Sequence, residues 1–477
     1  MSKNFYITTT LPYVNSDPHI GFATEIINAD VVARYKRLRG DNVFFTTGTD
    51  EHGQKIWEAS QKEGRDVKEY TDHFSSEFQK LKELLNLSND VFIRTTDEKH
   101  IKAAQEIWKR CESKGDIYKK SYTGKYCVGC ESFKTPKDLN EDGKCFIHPH
   151  LEIKNIEEEN YFFKLSNYED KLLEYLQREN SVLPEWRAVE AINFVKAGLE
   201  DFSISREKER LSWGIPVPGD QNQVMYVWFD ALTNYISTLD WPEEGGNFKK
   251  YWTEGEVVQL AGKDQVRFQS IMWQAMLMSA DIKNTDRVVY HGFINSGGQK
   301  MSKSLGNVIS PFDLVNEFGS DSVRYLLLRH VHPFEDSDIT MPRLKELYNA
   351  DLANGLGNLT SRILTLSEKY LDKNEISFEK TKFEEYFAIL ETYNISMAVE
   401  FVWKKIGELD LFIQNTEPFK VVKTDEQKGK ELILEMVRKL HEIAELLEPI
   451  MYDTHKNIKQ LLLDNKKPEA PLFLRKD

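Results

Sequence analysis

Two rhythms of apolar and polar residues divide the 477-residue chain. Up to about residue 115, short apolar runs alternate with longer stretches whose apolar positions recur every third or fourth residue. FYITTT, NVFFTTG and VFIRTT read as strands, and 23–39, 54–64, 67–86 and 98–114 as helices. Strand then helix, repeated, predicts a parallel sheet wound with helices. Residues 116 to about 160 break the rhythm with Cys, Gly, Pro and Lys in short irregular pieces, the mark of an insertion; 160–225 mix helix and short extended segments. The alternation resumes at VMYVWFDALTNYI and VVQLAGKD, followed by a helix across 265–280 and the strand RVVYHGF. The sheet is therefore expected in two halves around the insertion. Beyond about 345 only helical spacing remains: Ile395, Val399, Val402, Ile406 and Leu409, then Ile433, Met436, Leu440, Ile443 and Leu447. That spacing predicts a helical bundle. The expected segments are 1–115, 116–225, 226–344 and 345–477.

Composition narrows the class. Hydrophobic residues, 40% and spread throughout, describe a globular chain; its length suggests roughly two to four domains. MSKNFYITTT lacks the apolar core of a signal peptide, and no apolar run approaches the roughly 20 residues that span a bilayer. A soluble, cytoplasmic protein without membrane partners is expected. The net charge of −14 excludes a general, salt-driven grip on nucleic acid, leaving only local basic surfaces for that role. Three of the four Cys cluster between 127 and 145. In a chain without a secretory signal this points to a metal rather than to disulfides.

The cluster reads Cys127-Val-Gly-Cys130, then Cys145-Phe-Ile-His148. Three thiolates and an imidazole make a tetrahedral set suited to one zinc ion, with no position left open for catalysis. The CxxH spacing selects His148 as the fourth ligand, with His150 as the alternative. Cys111, within the helical stretch IKAAQEIWKRCESKG, reads as a packed thiol.

Two further stretches carry chemistry. PYVNSDPHIGFA places His19 and Gly21 in a turn between a strand and a helix, where α/β proteins handle phosphate. GGQKMSKSLGNV, after the strand RVVYHGFIN, sets Lys300 and Lys303 three apart among small residues and glycines. Such a loop brings two ammonium groups onto a polyphosphate. PHIGF resembles the HIGH motif, and KMSKS matches the second motif of class I aminoacyl-tRNA synthetases. TLPYVNSDPHIG, GTDEHG, the CxxC…CxxH knuckle, NYFFKLSNY, SWGIPVPGD, YVWFDAL, AGKD and FINSGGQKMSKSLGN resemble the methionyl-tRNA synthetases along essentially the whole chain.

This resemblance implies an α/β fold: a Rossmann-type parallel sheet split by a zinc-containing insertion, then an all-α anticodon-binding bundle. It implies activation of methionine by ATP and its transfer to tRNA(Met), initiator included, with Mg²⁺ accompanying ATP. On that basis His19, Gly21, Gly262, Asp264, Lys300 and Lys303 serve ATP, with His19 and the two lysines catalytic. Leu11, Tyr13, Asp50, Trp228, Ala231, Tyr235 and Gln269 serve methionine, Asp50 taking the ammonium. Asn358, Arg362 and Phe419 serve the anticodon. The chain departs from the pattern at Phe22, where HIGH ends in His, and at Gln269, where relatives carry His. Valine, isoleucine and leucine enzymes resemble this fold but insert an editing domain larger than 116–225. A cysteine-specific relative would need an open zinc position. The chain ends at LFLRKD soon after the bundle, so a monomer is expected.

Overall fold

The computed structural model describes residues 2–130, 132–134, 136–301, 306–378 and 381–477. They form two compact units. The first comprises Met1–Pro18, Gly40–Lys80 and Asn89–Tyr290; the second comprises His19–Arg39, Leu81–Ser88 and His291–Asp477.

The first unit is organised by a six-stranded sheet. Its strands are β1 (Asn4–Thr8), β2 (Asn42–Thr49), β3 (Val91–Arg94), β4 (Val182–Leu183), β5 (Glu256–Gly262) and β6 (Arg287–His291), in the order β3-β2-β1-β5-β6-β4. Ile7 of β1 pairs in parallel with Phe45 of β2 and Val258 of β5. Phe5, Tyr6 and Ile7 are buried on successive, opposite faces, as a strand covered on both sides requires. β4 lies inside the segment read as insertion, yet Val182 and Leu183 pair with Val288 and Val289 of β6. The core behind the sheet is rich in tryptophan: Trp108, Trp241, Trp252 and Trp273 are all buried, the last two in edge contact at 6.1 Å.

The insertion is built from antiparallel strands. Ile117–Cys127 and Lys154–Phe163 form a ribbon in register from Ile117 against Phe163 to Tyr126 against Lys154. Ser132–Lys134 and Phe202–Ser203 flank it. A three-stranded sheet, Pro216–Val217, Asp220–Met225 and Ser205–Glu207, follows. Cys111 is fully buried, and burial pushes its thiol up to about 12.

The second unit is mostly helical. Helix Ile20–Leu38 buries all but a few of its residues there. Both apolar series seen beyond residue 345 are buried, on Ile395–Thr416 and on or just beyond Glu426–Leu446. A short sheet of Ile294–Ser296, Gln299–Lys300 and Ser337–Asp338 precedes the bundle. Among the described residues no helix is long and apolar enough to cross a membrane.

Candidate functional site

The antiparallel ribbon ends at Cys127, and the chain folds back so that Cys127, Cys130, Cys145 and His148 bring their ligand atoms within 4.8 Å of one another. Cys130 Sγ lies 3.5 Å from Cys145 Sγ and 3.2 Å from His148 Nδ1, and Cys127 Sγ lies 3.8 Å from the same nitrogen. These are separations expected around one tetrahedral ion with bonds of roughly 2.0–2.3 Å. All four cysteines of the chain are unbridged. Gly129 is required here: a Cβ on it would come within 2.5 Å of the His148 ring. His150 is exposed, its ring 6.1 Å from that of His148, and is not in the cluster. The donor set and its spacing are compatible with zinc.

In the first unit the turn after β2 meets the turn after β1. Tyr13 and Asp50 form an isolated parallel bridge; Val14 N–H donates to the Asp50 carbonyl at 3.2 Å and Asp50 N–H to the Pro12 carbonyl at 3.0 Å. Asp50 is buried, with Thr95 Oγ1 at 3.5 Å from its carboxylate. The ring of Tyr13 stands edge-on to Trp228 at 6.3 Å, and Trp228 stacks on Phe268 at 3.9 Å. Ala231 lies one helical turn beyond Trp228, on Val227–Ala231. Tyr235 and Gln269 are buried and touch through a Gln269 Nε2 hydrogen bond to the phenol oxygen. Among the described residues Gln269 Oε1 has no partner although it is buried; left so, such an acceptor costs roughly 1–3 kcal/mol. Leu11 is half-buried two residues before Tyr13. Gly262 ends β5 and caps the turn Lys263–Gln265, where Asp264 is exposed and accepts from Gln265 Nε2 at 3.0 Å.

Sequence reasoning missed two features of this region. Phe268 completes the aromatic stack on Trp228. Asp230 is fully buried and accepts from two histidines, His52 and His100. The single acid within the apolar run YVWFDAL was the available signal, but His52 and His100 are 178 and 130 residues away.

In the second unit His19 caps helix Ile20–Leu38 with extended backbone, and its Nδ1 accepts from Gly21 N–H at 3.0 Å. A Cβ on residue 21 would lie 2.9 Å from the His19 ring, so glycine permits the bond. An acceptor at Nδ1 places the ring proton of the neutral imidazole on Nε2. His19 is exposed, and Phe22, one turn on, is buried. The backbone of Lys300 pairs with Asn295; Lys303 lies outside the described residues. Asn358 and Arg362 are exposed on helix Asn358–Tyr370, and Arg362 Nη1 donates to Asp410 at 3.0 Å. Phe419, 39% exposed, is the second residue of helix Pro418–Thr424, with the Lys420 ammonium 5.9 Å over its ring.

The first unit thus holds a parallel α/β sheet, a buried carboxylate beside an aromatic stack and a Cys₃His cluster, and the second a helix-capping histidine. The family described as "tRNA synthetases class I (M)" matches residues 5–150 and 134–364. The methionine–tRNA ligase of Fusobacterium nucleatum is 39% identical over 97% of this chain and 75% of that protein. That of Brucella suis is 38% identical over 96% of this chain and 92% of its own length. The structure of Mycobacterium tuberculosis methionyl-tRNA synthetase in complex with methionyl-adenylate superposes with a TM-score of 0.89 at 36% identity, covering 96% of this chain and 94% of that one. The chain belongs to the methionine–tRNA ligases, class I aminoacyl-tRNA synthetases.

Proposed function

We propose that this chain activates methionine and charges tRNA(Met), initiator included, in two steps. A carboxylate oxygen of methionine attacks the α-phosphorus of ATP, the bond to the β-phosphate bridge oxygen breaks, and pyrophosphate leaves. A terminal ribose hydroxyl of tRNA then attacks the adenylate carbonyl, and AMP leaves. Neither step needs a protein nucleophile, so positioning and charge stabilisation carry the rate. The observation that carries the reading is the meeting of Tyr13, Asp50 and Trp228 in one unit. A buried anion suits an ammonium, and aromatic faces suit a thioether at about 0.3–1.5 kcal/mol per contact.

Asp50 takes the methionine ammonium, and Leu11, Tyr13, Trp228, Ala231, Tyr235 and Gln269 surround the side chain. Gln269, with a buried acceptor still to satisfy, tunes affinity. His19 donates from Nε2 to phosphate at a helix N-terminus, and Gly21 holds that ring in place as well as admitting ATP. Lys300 and Lys303 neutralise the departing pyrophosphate, while Gly262 and Asp264 take the adenosine. Mg²⁺ accompanies ATP. Zinc on Cys127, Cys130, Cys145 and His148 holds the knuckle's shape. Asn358, Arg362 and Phe419 meet the anticodon, where stacking on Phe419 is worth roughly 1–3 kcal/mol. The working division is 1–115 and 226–344 for activation, 116–225 for the zinc insertion and 345–477 for the anticodon. A cytoplasmic monomer fits this role.

Methionine-dependent exchange of pyrophosphate into ATP tests the reading; no exchange with any amino acid at saturation overturns it. In the same assay Phe22→His should shift the KM for ATP more than that for methionine, and Gln269→His the reverse.

A further inference from the structure

Asp230 is a buried carboxylate next to the end of helix Val227–Ala231, and the two-step reaction gives it no task. Both its oxygens are taken. His52 Nδ1 lies 2.8 Å from Oδ2 and His100 Nε2 lies 2.7 Å from Oδ1. His100 Nδ1 is in turn 3.0 Å from Ser237 Oγ, which also reaches the Asn234 carbonyl at 3.3 Å. With an N–H on each oxygen the carboxylate cannot rotate. The helix Val227–Ala231 is thereby tied to the turn that carries His52 and to helix Glu98–Ser113, which carries His100.

The other end of the contact is the turn that carries Asp50. Each of its residues is tied to a different element. Asp50 is bridged to Tyr13. Glu51 takes a bidentate pair from Arg94 at 2.6 and 2.8 Å, while its carbonyl accepts from Trp213 Nε1. His52 reaches Asp230, and its ring leans on Trp213 at 5.5 Å. Trp228 and Ala231 sit two residues before and one after Asp230. One hydrogen bond, His52 to Asp230, therefore spans from the carboxylate turn to the aromatic helix.

We propose that Asp230, His52 and His100 form a positioning unit that sets the spacing between Asp50 and the Trp228–Ala231 helix, and so the fit of the amino acid. This rests on the methionine-site reading above. Burying the Asp230 carboxylate carries a desolvation cost that well-packed apolar residues of similar volume would avoid, which supports a role beyond cohesion. Small misplacements at a reacting centre carry large rate penalties. The residues touch no substrate atom in this account; they act through Asp50 and Trp228.

The test is pyrophosphate exchange at varied methionine and varied ATP, in the full chain with zinc bound. His52→Ala removes a donor; His52→Asn keeps an N–H near the Nδ1 position. His100→Leu and His100→Gln do the same for Nε2. The KM for methionine should rise about tenfold in His52→Ala and return to within about threefold of the parent in His52→Asn, with the KM for ATP within about twofold throughout. A folded His52→Ala whose methionine KM is unchanged, or whose two KM values rise together, overturns the proposal. If His52→Ala does not fold, the isosteric Asp230→Asn is read by the same split. A parent chain without methionine-dependent exchange removes the activity assignment and this inference with it, and is recognised by the parent's own failure.

Discussion

Asp30 and Asp230 are both fully buried carboxylates, one in each unit, and the units neutralise them differently. Asp30 is met by two guanidinium groups, Arg34 at 2.7 Å and Arg324 at 2.8 Å, and by Ser88 N–H and Oγ at 2.6 Å each. Arg324 spends its other N–H groups on the carbonyls of Leu85, Pro449 and Ile450. Among the described residues Asp230 is met by imidazoles alone. A guanidinium is a cation at any pH the protein meets; an imidazole is one only when protonated. The first cluster, one carboxylate between two fixed cations, pins helix Ile20–Leu38 within its unit. The second is held by imidazole nitrogens and lies beside the proposed substrate site.

The sharpest break of this comparison is Arg324→Met. It leaves Asp30 buried against one remaining cation and should destabilise the chain by about 3–5 kcal/mol in denaturant unfolding. Adding Asp30→Leu should restore part of that loss, since the stranded charge is then gone. His100→Leu is the matching change at Asp230. The carboxylate keeps His52, so the expected loss is about 1–3 kcal/mol; a loss as large as that of Arg324→Met would erase the distinction.

Acid provides a smaller probe. Burial pushes the Asp30 carboxyl up, but Arg324, Arg34 and Ser88 more than undo this and hold it below its usual value. Asp230 is likewise raised by burial and held low by His52 and His100. A carboxylate with a depressed folded pKa stabilises the fold above its unfolded value, near 4, and loses that contribution as pH falls through the folded one. Stability should thus decline below about pH 4, and Asp30→Asn should flatten the decline measured by thermal unfolding. Least affected should be the exposed pair. Arg362→Ala breaks the contact to Asp410, which is worth about 0.2–1 kcal/mol. Its effect on the KM for tRNA should exceed its effect on stability, in keeping with an anticodon contact.

Much of the α/β order was legible because apolar runs and helical spacing are local signals. The helix expected over 98–114 is Glu98–Ser113, and NVFFTTG lies within β2. The helix expected to begin at 23 begins at Ile20, because its cap is His19 rather than a Ser, Thr, Asp or Asn. β4 escaped notice: two residues cannot display a period. The π-helical turns Phe268–Met272 and Tyr348–Gly357 are invisible to a 3.6-residue pattern. The same logic separates the sites. The four knuckle residues fall between 127 and 148, so spacing alone brings them forward. Asp230 and its histidines are joined only by the tertiary fold, and Asp30 meets Arg324 across nearly three hundred residues.

The chain passes between its two units five times, at Pro18–His19, Arg39–Gly40, Lys80–Leu81, Ser88–Asn89 and Tyr290–His291. Neither unit is thus a continuous stretch of sequence. A fragment beginning at His291 would contain every C-terminal helix yet lack Ile20–Leu38, and Arg324 would be buried without Asp30. The helical part is therefore not a module that recombination could lift out and graft elsewhere by a single crossover. Shuffling between homologues must exchange the early helix and the late bundle together.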